Sequence, residues 1–196
     1  MVVTKGLVGT LALAALVAAA CTSVAQPGRS SLPSDPSSYD ESPTTLIAQA
    51  AILDAKGVAV ASASFRDTRL GTRVEVRAVG LPPGKHGIHM HAASKCEPPD
   101  FATAGGHFNV SGKQHGIAGS VSAHAGDLPN LVVGADGKGS LLFYNPHLTL
   151  NRAASNGLAF GPGTSIVVHA DADDERTEPS GNSGARIACG LVKVVG

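Results

Sequence analysis

The sequence predicts an all-β domain, and three observations support this fold class. Glycine (24 residues) and proline (12) are frequent and only 4% of the residues are aromatic, which favours short strands joined by turns over helices. Residues 72–80, TRVEVRAVG, alternate between apolar and polar side chains, as in a half-buried strand. Hairpin signals at 55–57 and 135–139 each separate two strand-like runs.

Eight short strands are predicted along the chain. They cover residues 46–54, 57–67, 72–80, 86–91, 130–136, 139–145, 164–170 and 185–196. Between residues 92 and 129 there is no strand-like run. A loop of this length inside a compact domain is usually either functional or disordered.

Composition excludes one class of partner. The 43% hydrophobic and 15% charged residues are ordinary for a folded protein of 196 residues. Lys+Arg and Asp+Glu both number 15, and tryptophan is absent. Because there is no basic excess to bind phosphates and little aromatic surface to stack on bases, no nucleic-acid partner is expected.

Residues 1–21 have the layout of an export signal. Lys5 is followed by an apolar run and by small residues ahead of Cys21. This run is shorter than the roughly 20 apolar residues that a membrane-spanning helix needs. The end of the segment, AAAC, resembles a bacterial lipoprotein signal, which implies lipidation of Cys21 and membrane contact through an N-terminal lipid anchor. A plain cleaved signal is the alternative, and both predict export to the cell envelope.

A flexible tether and one folded domain are predicted after the signal. Residues 22–43 are rich in Ser and Pro and almost without aliphatic side chains. Such a segment cannot bury enough apolar surface to offset its ordering entropy. The folded domain is therefore expected to span 44–196.

Histidines concentrate in one stretch. Six of the eight lie between His86 and Asp127, in the last part of a predicted strand and the long loop after it. His89 and His91 share one face of the predicted strand, opposite Ile88 and Met90, because side chains two apart point the same way. A lone pair of this kind is more often a solvated surface feature. The added histidines in the loop favour a metal site instead.

Several segments together resemble the copper/zinc superoxide dismutases of the exported bacterial type. In order they are HGIHMH, AGGHFN, KQHG, HAGDLPNL, SIVVHADADD and GNSGARIACG, and the similarity runs from about residue 44 to 196. Six motifs in the right order, with matching spacing, are far more specific than any one of them. The resemblance implies a flattened Greek-key β-barrel, a sandwich architecture for which this family is a standard example.

The resemblance also implies two metals that share one imidazole. The implied copper ligands are His89, His91, His107 and His169, and the implied zinc ligands are His107, His115, His124 and Asp127. The chemistry of the donors agrees with this division. Imidazoles suit a copper that changes oxidation state, and three histidines with an aspartate suit a tetrahedral, redox-silent zinc.

Four further residues take roles from the resemblance. Asp173 matches a carboxylate that hydrogen-bonds to one copper ligand and one zinc ligand at once. Arg186 matches the arginine that attracts superoxide to the copper. Cys96 and Cys189, an even pair in an exported protein, match a disulfide, with two unrelated buried thiols as the alternative.

The other polar residues near these motifs are expected to be structural or solvated. His86 matches a structural position and is not expected to bind metal, and His147 is expected to be a surface histidine. The remaining acidic residues of the segment DADDERTE are predicted to form a solvated loop. They are Asp171, Asp174, Glu175 and Glu178.

The activity that the resemblance implies is dismutation of superoxide to dioxygen and hydrogen peroxide, with Arg186 and His107 as catalytic residues. It leaves both a homodimer and a monomer possible. Two other classes are alternatives: a non-catalytic copper/zinc-binding envelope protein of the same fold, which would lack a copper ligand or Arg186, and a zinc hydrolase. A hydrolase needs an open position on its zinc, and four protein ligands leave none.

Overall fold

The computed structural model describes residue 2 and residues 47–195. Apart from residue 2, the predicted signal segment (1–21) with Cys21 lies outside the described residues, as does the predicted tether (22–43). In the described part of the chain, no helix is long and apolar enough to cross a membrane.

Ten antiparallel strands make up the described domain. They are β1 (Ile47–Asp54), β2 (Ala59–Thr68), β3 (Gly71–Ala78), β4 (Gly84–His86), β5 (Ile88–His91), β6 (Leu131–Val133), β7 (Gly139–Asn145), β8 (Ser165–His169), β9 (Arg186–Leu191) and β10 (Lys193–Val195). One short 3₁₀ helix (Ala102–Ala104) lies in the loop after β5. Both predicted hairpins form, joining β1 to β2 and β6 to β7.

The strands form one sheet that curls back on itself. Its order is β4-β6-β7-β3-β2-β1-β9-β8-β5, and β10 also pairs with β1. The two end strands of this path, β4 and β5, are separated in sequence by Gly87 alone. The ends of the sheet therefore meet, and the domain is a nearly closed barrel of antiparallel strands. The predicted all-β fold class is confirmed.

The strand count differs from the predicted eight because two of the predicted strands are each divided at one residue. The predicted strand 86–91 divides at Gly87, whose amide donates to the Asp171 carbonyl (2.8 Å) and whose carbonyl accepts from the His169 amide (2.8 Å). The predicted strand 185–196 divides at Val192, whose amide donates to the Thr164 carbonyl (3.1 Å). At Gly87 the partner strand changes, since β4 pairs with β6 and β5 with β8. On the two sides of Val192, β9 and β10 both pair with β1, and only β9 also pairs with β8.

The apolar core fills the barrel. In β3 the alternation predicted from the sequence is observed, since Val74, Val76 and Ala78 are buried in the core cluster. Ile88 and Met90 of β5 also point into this core, and both are fully buried. Their neighbours on β5 therefore face outward from the core, toward the long loop that follows.

Candidate metal centre

The loop between β5 and β6, here called the metal loop (residues 92–130), lies along the free edge of β5. The amide of Met90 donates to the Gly126 carbonyl (2.8 Å), and its carbonyl accepts from the Phe108 amide (2.8 Å). These bonds pair backbone groups that the last strand of a sheet would otherwise leave open. They also bring metal-loop residues beside the histidines of β5. The bridged pairs are His89 with Asp127 and His91 with His107.

A disulfide ties the metal loop to the barrel. Cys96 and Cys189 are bonded, with their Cα atoms 5.6 Å apart, so the predicted pairing is confirmed. Around it lies a second small core cluster that contains Phe101, Ala104 and Val167. Cross-linking residues 93 apart removes conformational freedom from the unfolded chain, which stabilises the folded state.

Four histidines converge on one point beside β5. This four-histidine group consists of His89, His91, His107 and His169, and one ring nitrogen of each lies within 4.8 Å of the others. Each contributes a buried ring nitrogen that has no hydrogen-bond partner in the described structure: Nδ1 of His89 and Nε2 of the other three. Unpaired buried polar atoms are rare in native proteins. Four that lie together form a donor set for a cation.

The opposite ring nitrogens fix the tautomers of three of these histidines. His91 Nδ1 donates to the Gly105 carbonyl (2.9 Å), His169 Nδ1 to the Gly184 carbonyl (3.2 Å), and His89 Nε2 to Asp173 Oδ2 (2.8 Å). A neutral imidazole that donates from one nitrogen carries its lone pair on the other. The unpaired nitrogens of all three rings are therefore lone-pair donors, already turned toward the common centre.

A second cluster, here called the Asp127 group, consists of His107, His115, His124 and Asp127. Asp127 Oδ1 lies 3.0, 3.1 and 3.3 Å from Nδ1 of His107, His115 and His124. The Nδ1 atoms of His107 and His124 are 3.3 Å apart. Ligands about 2.0 to 2.1 Å from a tetrahedral zinc lie about 3.3 Å from one another. The measured separations match that geometry, so these residues fit zinc.

His107 belongs to both groups. Its Nδ1 lies in the Asp127 group, and its Nε2 is one of the four unpaired nitrogens of the four-histidine group. The two donor sets are thus joined by a single imidazole ring, the arrangement that the resemblance implies. One ring can serve two cations in this way only when both of its nitrogens are deprotonated.

Asp173 connects the groups by a second route. Its Oδ2 accepts from His89 Nε2 (2.8 Å) and its Oδ1 from His115 Nε2 (2.9 Å). The main chain of Asp173 is held in turn by Asn130, through hydrogen bonds of 2.8 and 2.9 Å. A carboxylate that holds the outer nitrogen of a ligating histidine orients the ring and raises its basicity. Here one carboxylate does so for a member of each group.

Burial keeps the four-histidine group neutral. Desolvation lowers the pKa of His89 to about 3, of His91 to about 2 and of His169 to about 4. The positive charges of neighbouring histidines, together with Arg186 for two of the three, lower these values further. At neutral pH the lone pairs of these rings are therefore available to a metal without the release of a proton.

Carboxylates reverse this balance at His115. Burial alone would lower its pKa, but the hydrogen bonds and charges of Asp127 and Asp173 outweigh burial and raise the pKa of His115 to about 10. Burial likewise opposes ionisation of both aspartates. Hydrogen bonds from the histidines nevertheless hold the pKa values of Asp127 and Asp173 well below their usual range. Without a cation, the proton of His115 takes the place that a metal would occupy.

Arg186 stands at the start of β9, and its guanidinium is fixed by main-chain carbonyls. Nη1 donates to the Phe101 carbonyl and Nη2 to the Gly105 carbonyl, both at 2.7 Å. Burial lowers the pKa of Arg186, and nearby Asp100 opposes that shift. The same arginine lines an open pocket of about 590 Å³ together with Gly106. A fixed, charged group with donors at an open pocket suits a small anion.

The loop between β8 and β9, here called the acidic loop (residues 170–185), contains the acidic residues that are predicted to be solvated. Asp171 and Asp174 are exposed, as a solvated loop requires. Glu178 is exposed as well, and its Oε1 also accepts a hydrogen bond of 2.5 Å from the main-chain amide of His115, a contact that was not predicted. Backbone amides in irregular segments need such acceptors, and residue type alone does not reveal which carboxylate supplies one.

The two histidines outside the metal groups also differ from each other. His86 lies between the carbonyls of His169 and Pro82, 2.8 Å from each, and belongs to neither group, as expected of a structural position. His147 is half-buried, and its Nε2 donates to the Ser120 carbonyl at 2.9 Å. His147 is therefore a partly exposed histidine that also contacts the metal loop, a contact that was not predicted.

Comparison with known proteins decides the family. The model of the copper/zinc superoxide dismutase (SODC) family matches residues 56–192. The chain belongs to the copper/zinc superoxide dismutase family. Relatives in this family include a Cu-Zn superoxide dismutase of Aquifex aeolicus, 37% identical over 149 residues, which cover 76% of this chain and 87% of that protein. Another, from Deinococcus radiodurans, is 41% identical over 159 residues, covering 75% and 84%.

Solved structures of copper/zinc superoxide dismutases and similar proteins share the fold. The Cu/Zn superoxide dismutase of Brucella abortus aligns with a TM-score of 0.62 and 28% identity, covering 75% of this chain and 99% of that chain. A SOD-like protein from Bacillus subtilis aligns with a TM-score of 0.68 and 38% identity, covering 73% and 96%. The family therefore includes proteins named as dismutases and proteins named only as dismutase-like.

Proposed function

We propose that this protein is a copper/zinc superoxide dismutase, which converts two superoxide anions and two protons into dioxygen and hydrogen peroxide. The proposed copper ligands are His89, His91, His107 and His169, and the proposed zinc ligands are His107, His115, His124 and Asp127. One observation carries this assignment. Four unpaired buried ring nitrogens lie beside a tetrahedral set of donors, and the two sets share one imidazole.

Copper, when bound, supplies the one-electron chemistry by which one superoxide is oxidised and a second is reduced. The chain supplies the rest of the site. Neutral histidines with fixed tautomers present their lone pairs without rearrangement. His107 holds one proton at Nε2 between the two half-reactions and gives it up to the forming hydrogen peroxide, whose second proton comes from solvent water. Asp127, against its Nδ1, keeps that ring in place.

Arg186 binds and orients the substrate. Its guanidinium keeps its charge at every physiological pH, and its two carbonyl bonds fix the direction of its remaining donors. Superoxide is a small anion, so a fixed cation at an open pocket raises its local concentration and accelerates its encounter with the site. These properties support a role for Arg186 as a catalytic residue together with His107.

A non-catalytic metal-binding protein of the same fold is the second candidate, and the dismutase-like relatives make it a real one. Such a protein is expected to lack part of the donor set or the arginine. This chain keeps every donor of both groups, with Arg186 beside them. That completeness favours the enzyme. A zinc hydrolase is disfavoured because four protein donors close the proposed zinc site.

The deciding experiment is metal analysis of the purified protein, combined with a superoxide consumption assay before and after chelation. We expect about one copper and one zinc per chain, loss of activity on chelation, and its return with added copper. Arg186→Leu should lower kcat/KM about tenfold or more, since steering contributes 10- to 1,000-fold. Arg176→Leu, which removes an exposed arginine from the acidic loop, is the matched control. Zinc without copper-dependent activity would establish the non-catalytic alternative.

The cellular setting that we propose follows from residues 1–21 of the sequence. The protein is exported and anchored in the cell envelope by lipidation at Cys21, where it removes superoxide that arrives from outside the cell. Mass spectrometry of the N-terminal peptide of the mature protein tests this directly. A diacylated Cys21 supports the anchor, whereas an unmodified N-terminus at another residue indicates a simple cleaved signal.

A further inference from the structure

We infer that Glu178 is a positioning residue for the proposed zinc site, acting on the main chain of His115. The inference rests on the proposed function for the identity of the metal. Glu178 lies in the acidic loop, 63 residues from His115 in sequence, and its carboxylate Oε1 is 2.5 Å from the His115 amide nitrogen. The contact adds a further link between the acidic loop and the metal loop, which Asp173 already joins through His115 and Asn130.

The His115 amide needs an acceptor. It lies within a part of the metal loop where no strand forms, so no ladder partner is available to it. His115 itself is buried. A buried backbone donor without a partner is destabilising. A carboxylate is the strongest acceptor that a side chain can offer to such an amide, because the hydrogen bond is assisted by its charge.

Two carboxylates of the acidic loop hold His115 at different points. Asp173 accepts from the ring at Nε2 (2.9 Å), which sets the direction of the imidazole. Glu178 accepts from the main chain, which sets where the residue as a whole sits. Together they determine the position of Nδ1, the atom that lies 3.1 Å from Asp127 Oδ1. The amide of the next residue, Gly116, donates to Asp127 Oδ2 (3.2 Å), so Glu178 is one of two carboxylates that hold the main chain here.

The same acidic loop offers a matched control for charge. Glu175 lies three residues before Glu178 and is partly buried, and it is its main-chain amide that bonds to the loop, donating to Asp173 Oδ1 (2.6 Å). Replacing Glu175 by Gln removes one negative charge from the acidic loop and leaves the His115 contact in place. Replacing Glu178 by Gln removes the same charge but keeps an acceptor oxygen. Glu178→Ala removes both.

The test is zinc affinity of the copper-free protein, measured with Zn²⁺ against a chromogenic chelator, for the wild type and the three variants. Loss of a residue that orients a ligand typically lowers metal affinity about 10- to 100-fold, so we expect this for Glu178→Ala and a smaller loss for Glu178→Gln. Glu175→Gln should stay within about twofold of the wild type. The visible absorption of Co²⁺ bound in place of zinc should shift for Glu178→Ala alone, because a displaced Nδ1 distorts the ligand geometry.

The outcomes separate this inference from the proposed function. A wild-type protein that binds no zinc overturns the proposed zinc site itself. Tight zinc binding by the wild type and by Glu178→Ala alike overturns only the role of Glu178. Equal losses for Glu175→Gln and Glu178→Gln, with no further loss in Glu178→Ala, show a general charge effect and also overturn it. If Glu178→Ala does not fold, the difference between the two Gln variants decides.

Discussion

The two donor groups are built on different parts of the molecule. Three members of the four-histidine group, His89, His91 and His169, lie on the barrel strands β5 and β8. All four members of the Asp127 group lie in the metal loop. The first group is positioned by the ladder of the barrel and by main-chain carbonyls. The second is positioned by carboxylates and by the contacts that hold the metal loop against the barrel, which are the disulfide and the backbone hydrogen bonds to β5.

This difference also sets their charge states. The strand-borne histidines have pKa values of about 4 or lower because they are buried with few acidic neighbours. His115 in the loop has a pKa of about 10 because Asp127 and Asp173 outweigh its burial. A barrel thus offers one metal a neutral, preformed set of lone pairs. A loop offers the other metal a negatively charged set that carries a proton until the metal arrives.

Breaking the disulfide should have the largest effect, since it separates the loop from the barrel. For the variant Cys96→Ser with Cys189→Ser, the chain-entropy model predicts a loss of about 4 to 5 kcal/mol in the free energy of unfolding. Urea unfolding of the metal-free protein measures this. A loss below about 1 kcal/mol would mean that the backbone bonds along β5 already hold the metal loop, and the contrast between loop and strand would disappear.

Asp127→Asn should separate the two groups. Structural zinc sites bind with about 10 to 16 kcal/mol from four ligands, so removing the charged one should weaken zinc about a hundredfold or more. Copper bound to the four-histidine group should weaken less, by about tenfold at most, because Asp127 contacts only one of its four donors, His107. Competition titrations with each metal measure both values. Asp136→Asn, in the β6–β7 hairpin, is the control for loss of one carboxylate, and equal weakening of both metals would contradict the separation.

Asp173→Asn should instead affect both groups. An amide has one acceptor oxygen, so the variant can keep only one of the hydrogen bonds to His89 and His115. We expect zinc and copper affinities each to fall about tenfold. The same titrations measure this. A change at one metal alone would show that Asp173 serves a single group and does not connect them.

Changing the pH should give the most graded effect, since each pH unit should shift zinc affinity by a limited step. Below pH 10 the metal-free protein carries a proton on His115 that zinc must displace, so zinc affinity should fall about tenfold per pH unit between pH 7 and 5. Copper affinity should not show this proton cost until the pH approaches about 4, where His169 begins to protonate. Titrations of each metal alone at several pH values test the contrast, and parallel slopes for the two metals would contradict it.

The same raised pKa makes a prediction for stability. Protonated His115 is paired with Asp127 and Asp173 in the folded state, so its contribution to stability is fully present below its ordinary pKa near 6.5. This contribution to the free energy of unfolding is lost as the pH rises through about 10, where His115 loses its proton. Chemical unfolding of the metal-free protein at pH 6 and pH 10.5 measures it, with a His115→Gln variant as control. A wild type that loses no more stability than the variant would contradict the assignment.

The sequence predicted the parts of the molecule that residue type and periodicity determine. Alternation in 72–80 gave the buried face of β3, and the spacing of His89 and His91 placed both on one side of β5. The disulfide pairing and the two donor groups followed from motifs whose residues are chemically distinctive. These features depend on side chains that few other patterns would bring together.

Main-chain contacts could not be predicted in this way. The break at Gly87 marks where the chain passes between the two ends of the sheet, and the break at Val192 marks where pairing with β8 ends. No local pattern in the sequence records either. The acceptors for His91, His169 and Arg186 are carbonyl groups of the metal loop and the acidic loop, and every residue has a carbonyl. Glu178 looked like one solvated acid among several, and only the fold brings it to the amide of His115.

One of these carbonyls has a consequence for how the site tolerates motion. The oxygen of Gly105 accepts from His91 Nδ1 (2.9 Å) and from Arg186 Nη2 (2.7 Å) at the same time. The ring of His91, which points to the proposed copper site, and the guanidinium of Arg186, which is proposed to bind superoxide, are thus both held by one oxygen atom. When residues near Gly105 fluctuate, His91 and Arg186 are expected to move together. The distance between the anion bound at Arg186 and the copper bound at His91 should then vary less than the position of either group.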